Sequence, residues 1–128
     1  MMLLDTCVLF WLEQAPEQIS PAVTSQLSRR DVPVFASAIS AFELGLKVHQ
    51  GLIKLPLPSG SWVREVCRRR YISVLPINEE IAGASTELPI IHRDPCDRFL
   101  IATAQLNKLI LATPDPKIRE YPNLKTLW

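Results

Sequence analysis

The sequence predicts an α/β fold in which a central parallel sheet is covered by helices on both faces. Two observations predict it. Short apolar runs alternate with helical stretches along the whole chain. Those runs also lack the in–out alternation of a strand with one wet face, so they read as strands buried on both sides. A chain of 128 residues that is 48% hydrophobic has the size and composition of a single globular domain, spanning 1–128.

The elements follow in order. MLLD at the N-terminus is a buried strand ending in an acid, and TCVLFWLE is a short helix. SPAVTSQLSRR starts a second helix, with Ser20 as cap and Pro21 at the first helical position. VPVFAS is a strand. SAFELGLKVHQG is a helix capped by Ser40 and closed by Gly51. SGSWVREVCRRR is a helix whose apolar stripe holds Trp62, Val63 and Val66. YISVLPI is a strand cut by Pro76, and NEEIAGASTEL is a capped helix. DPCDRFLIATAQLNKL is a long helix, LILAT a strand and LKTLW a final strand.

Composition excludes several classes of function. Fourteen basic residues against 13 acidic ones leave a net charge of +1, so no global charge argues for a nucleic-acid partner. Cys7, Cys67 and Cys96 are odd in number and contain no CxxC pair, which speaks against a disulfide framework or a zinc site. No uninterrupted apolar run reaches the ~18 residues that span a membrane, and the N-terminus lacks a basic leader; a soluble, cytoplasmic protein without a membrane partner is expected. Four glycines form neither a Walker motif nor GxGxxG. With only His49 and His92, no Ser–His–Asp or Cys–His set is evident. His92 reads as a structural residue or one supporting a site.

In an open parallel sheet, sites form beyond the carboxyl ends of the strands. Four acids fall at a strand exit or a helix start: Asp5, Glu43, Asp97 and Asp115. Each has an ordinary alternative. Asp5 can cap the first helix. Glu43 can close a capping box with Ser40 or pair with Lys47. Asp115 can serve a turn between two prolines. Asp94 before Pro95 accounts for the cap of the last long helix, which leaves Asp97 as a carboxylate with no local structural demand. Carboxylates gathered at one end of a sheet repel one another unless protonated or bridged by a cation. Hard oxygen ligands suit Mg²⁺ or Mn²⁺, ions that serve phosphoryl chemistry. Arg98 and Lys117 lie beside these acids in sequence and are candidates to meet a phosphate, with pairing to Asp94 as the alternative for Arg98. Arg29–Arg30 and Arg68–Arg70 end two helices and read as solvated charge.

The blocks LLDTCVLFWL, SAFELGLK, HRDPCDRFLIATAQ and LATPD, in this order, resemble the PIN-domain ribonucleases, and among them the VapC-type toxins of toxin–antitoxin pairs. The resemblance implies a three-layer α/β/α sandwich and metal-dependent endoribonuclease activity, with Mg²⁺ or Mn²⁺ as cofactor. It places the family's acids on Asp5, Glu43, Asp97 and Asp115, and its hydroxyls on Thr6 and Thr113. It implies RNA as substrate, a 5′-phosphate product, a homodimer and a cognate protein antitoxin. Trp11, Trp62 and Trp128 read mainly as core residues, with the stripe near Trp62 as an alternative seat for an antitoxin helix or strap. Cys96 stands where many relatives carry an aromatic residue. The alternative is a PIN-like module that binds RNA or a protein without cutting.

Overall fold

A computed structural model describes residues 1–128. Five strands form one sheet: β1 (Met2–Leu4), β2 (Val34–Ser37), β3 (Ser73–Leu75), β4 (Ile110–Ala112) and β5 (Thr126–Leu127). Their order is β3-β2-β1-β4-β5 and every pairing is parallel. Six α-helices connect them: α1 (Thr6–Gln14), α2 (Pro21–Leu27), α3 (Ile39–His49), α4 (Ser59–Arg69), α5 (Glu79–Glu87) and α6 (Pro95–Leu106). The expected α/β/α sandwich with a central parallel sheet is present.

The central strand explains the layering. Side chains along a strand alternate between faces. Met2 and Leu4 join a cluster with Val8, Leu44, Trp62 and Val66, whereas Leu3 joins a second cluster with Leu100, Ile101 and Leu111. All three β1 residues are buried, as a strand covered on both faces requires. Trp62, Val63 and Val66 belong to the first core. The core reading of the stripe near Trp62 holds, and its alternative as an antitoxin seat falls, because the protein itself fills it.

Helix ends follow the local chemistry with three exceptions. Ser20 accepts from Val23 N and Asn78 from Ile81 N, and Gly51 adopts φ +73° just past α3. Helix α2 ends at Leu27, short of the arginines, and beyond it Arg29 forks onto Asp31. Helix α6 ends at Leu106, and Lys108 takes the left-handed conformation (φ +54°) there. Ser40 is not a cap: α3 starts at Ile39, whose N–H is satisfied by Ser37 Oγ at 3.1 Å. No helix is long and apolar enough to cross a membrane.

Candidate active site

Strand register brings the first two site residues together. Leu4 pairs with Ala112 across β1 and β4, so the next residues, Asp5 and Thr113, leave the sheet side by side. Asp5 N donates to Ala112 O at 3.0 Å, and Thr113 Oγ1 donates to Asp5 Oδ2 at 2.6 Å. Thr113 Oγ1 also accepts from Asp115 N at 3.1 Å, which orients the loop after β4. Asp5 stands at the start of α1 but makes no side-chain capping bond. Asp5 is only 6% exposed, and its carboxylate is held by Thr113 Oγ1. The capping account of Asp5 therefore fails.

Helix α3 supplies Glu43. Ser40, one turn earlier, is fully buried, and its Oγ meets Thr6 Oγ1 at 2.8 Å. Thr6 Oγ1 in turn donates to Glu43 Oε1 at 2.7 Å. Ser40, Thr6 and Glu43 form a hydroxyl relay between α3 and α1, in place of the capping box within α3. Since Thr6 donates to Glu43, Ser40 is the donor to Thr6.

Helix α6 supplies Asp94 and Asp97. Asp94 Oδ1 caps the helix, accepting from Cys96 N at 2.9 Å. Asp97 Oδ2 lies 2.9 Å from His92 Nε2, which is also 3.0 Å from Asp115 Oδ2. Two triplets each bring one ligand atom per residue within 4.8 Å of the others: His92–Asp97–Asp115 and Glu43–Asp94–Asp97. Asp97 belongs to both. Asp5 belongs to neither and lies deeper, held by Thr113. Asp94 thus enters the cluster although the sequence placed a structural role on it, and His92 enters it in line with the supporting role that was one of its two readings. Asp115 keeps its turn role as well, since its Oδ1 accepts from Lys117 N at 2.8 Å.

The electrostatics reflect this crowding. Burial pushes the Asp97 carboxyl up to about 8, reinforced by the charges of Asp5, Glu43, Asp94 and Asp115. Burial also raises Asp5 against the lowering effect of the Thr113 hydrogen bond. It raises Glu43 against the bond from Thr6, while Lys47 opposes the shift through its charge. The thiol of Cys96, buried beside the acids, is pushed up to about 12, so it stays protonated and is no nucleophile. Acids held so close and so dry are suited to a small, hard, multivalent cation.

Arg98 does not face this cluster. Its Nη1 donates to the carbonyls of Pro89 (3.0 Å) and His92 (3.2 Å), and its Nη2 to those of Ser85 and Leu88 (both 2.8 Å). The guanidinium fastens the segment before α6 onto the helix, and it pairs neither with a phosphate position nor with Asp94. Four other arginines are also engaged away from the acids. Arg29 pairs with Asp31, Arg68 with Glu65, and Arg69 and Arg70 with Glu13.

The fold and this carboxylate cluster define a class that the comparisons identify. The PIN domain family matches residues 2–124, and the chain belongs to that family. The chain is 30% identical to Ribonuclease VapC22 of Mycobacterium tuberculosis, over 98% of its own length and 97% of that protein's. Among solved structures it is similar to VapBC2 from Rickettsia felis bound to a promoter DNA fragment (TM-score 0.73, 16% identity, 98% and 96% of the two chains). It is also similar to a toxin–antitoxin complex from Klebsiella pneumoniae (TM-score 0.67, 19% identity, 100% and 97%). At such identities the two structures speak for the fold.

Proposed function

We propose that this chain is a divalent-metal-dependent endoribonuclease and the toxin of a toxin–antitoxin pair. The observation that carries the reading is the convergence of Glu43, Asp94, Asp97 and Asp115 over the buried Asp5, in a chain 30% identical along its length to a VapC ribonuclease. Asp5, Glu43, Asp97 and Asp115 would hold Mg²⁺ or Mn²⁺, through the ion directly or through its waters. When bound, the ion supplies Lewis acidity toward a phosphodiester and acidifies a water for attack.

The chain's own residues prepare the site. Thr113 fixes Asp5 and the loop bearing Asp115. Thr6, braced by Ser40, fixes the rotamer of Glu43. The Asp94 cap fixes the first turn of α6 and so aims Asp97. The clustered acids repel a naked RNA backbone, so RNA approaches productively only once cations offset them. Lys117, exposed two residues beyond Asp115, is the basic side chain we assign to the phosphates flanking the cut. The reading carries with it a cognate protein antitoxin, a homodimer and action in the cytoplasm on RNA.

Purified, antitoxin-free protein incubated with mixed transfer and ribosomal RNA tests this. Discrete cuts are expected with Mg²⁺ or Mn²⁺, and none with chelator or in Asp97→Asn. A folded, ion-loaded wild type that binds RNA and leaves it intact would replace the nuclease by a binding module.

A further inference from the structure

His92 takes no part in the chemistry above, yet all four of its polar atoms are engaged. Its backbone N–H donates to Tyr121 Oη at 2.8 Å, and its carbonyl accepts from Arg98. Its Nδ1 accepts from the backbone N–H of Asp94 at 3.3 Å. An Nδ1 that accepts carries no proton, so the ring proton sits on Nε2. That Nε2–H is directed at two carboxylate oxygens at once, Asp97 Oδ2 at 2.9 Å and Asp115 Oδ2 at 3.0 Å. A ring in this tautomer has no lone pair at Nε2 to offer an ion. It presents instead the positive end of a bond dipole to the point the two acids share.

Asp115 sharpens the argument. Its Oδ1 is committed to Lys117 N, so Oδ2 is the oxygen left for an ion, and His92 occupies it. The clamp of Arg98 and Tyr121 on the backbone around His92 keeps the ring there. We propose that His92 is a positioning residue that stands in for the cation: its Nε2–H bridges Asp97 and Asp115 in the ion-free protein and withdraws from them when the ion binds. This rests on the metal-binding reading of the acids. A bond present only without the ion opposes its binding, so the site is held together empty at the expense of affinity. The clamp gives the inward-turned Arg98 a purpose connected to the site.

The test is calorimetric Mn²⁺ binding to chelator-stripped full-length protein without RNA, for wild type, His92→Ala and His92→Gln. It is paired with the histidine side-chain ¹⁵N spectrum of wild type during a Mg²⁺ titration. His92→Ala should bind Mn²⁺ about tenfold more tightly, since the bridging hydrogen bond to the two acids no longer has to break. His92→Gln, which can return an N–H to the Nε2 position, should bind close to wild type. In the spectrum, wild-type Nε2 should start as the protonated nitrogen and shift as Mg²⁺ saturates. Ala binding equally or more weakly, Gln binding as tightly as Ala, or an unmoved Nε2 signal would each overturn the proposal while leaving the metal site intact. Absence of ion uptake by all three proteins would instead remove the metal site itself, and the proposal with it. If the Ala variant fails to fold, the wild-type spectrum and the Gln variant still decide.

Discussion

Replacing Asp97 by Asn should stabilise the ion-free protein, and do so only at high pH. The Asp97 carboxyl lies near 3.8 when solvated and is raised to about 8 in the fold by burial and by the acids around it. Below pH 4 the group is neutral in both states and contributes nothing. Between 4 and 8 the unfolded chain ionises it while the folded chain keeps it protonated, so stability falls as pH rises. Above 8 the full penalty is present. At about 1.4 kcal/mol per pH unit the gap sets a ceiling of about 6 kcal/mol. Side-chain relaxation and entry of water around the charged acids bring the expected penalty to about half of that. Asn keeps the shape and an oxygen to accept from His92 but cannot ionise. Denaturant melts in chelator should therefore show Asp97→Asn more stable than wild type by about 2–3 kcal/mol at pH 9 and about equal at pH 4. Mg²⁺ should stabilise wild type and leave the variant unmoved. Parallel stability–pH curves for the two proteins would refute the crowding argument.

Three further substitutions separate the roles of neighbouring residues. Thr113→Val removes the hydroxyl that holds Asp5. It should cost about 1.5–3 kcal/mol by chemical denaturation and cut RNA cleavage at least about tenfold, since a buried ligand loses its aim. Arg98→Ala removes the side-chain donor to the carbonyls of Ser85 and Leu88 and leaves those of Pro89 and His92 to share Tyr121 Oη; it should lower stability by about 2–4 kcal/mol while the salt dependence of RNA binding stays as in wild type. Asp94→Ala loses a helix cap worth about 1 kcal/mol, read from thermal melts, and should retain substantial cleavage, whereas Asp97→Asn retains none.

Much of this architecture can be read from residues alone, and the failures are instructive. The central strands were legible because buried parallel strands announce themselves as apolar runs; the expectation of burial on both faces does not extend to the edge strand β3, where Ser73 and Val74 are exposed. Asp5 was visible as a charge inside an apolar segment, and Asp97 as a carboxylate left over once Asp94 had capped α6. Glu43 was obscured by a false cap: Ser40 precedes it at capping-box spacing, but Ser37, still on β2, satisfies the first N–H of α3 and frees Ser40 to face Thr6. Arg98 misled through adjacency. Successive helical residues point about 100° apart, so the neighbour of an inward acid faces elsewhere. His92 was beyond local reasoning, because its position is set by Tyr121 and Arg98, contacts that only the tertiary fold creates. The apolar stripe of α4 has the period of any amphipathic helix, and periodicity does not say whether the chain or a partner covers it.

The reading stands on these carboxylates holding a divalent ion at the carboxyl end of the sheet. Crystals grown with Mn²⁺ and measured at the manganese absorption edge test it most directly. An anomalous peak is expected within coordination distance of Asp97, sharing ligands with Asp5, Glu43 or Asp115, and lost in Asp97→Asn. An ordered site without such a peak at saturating Mn²⁺, with the acids still paired to His92, would contradict it.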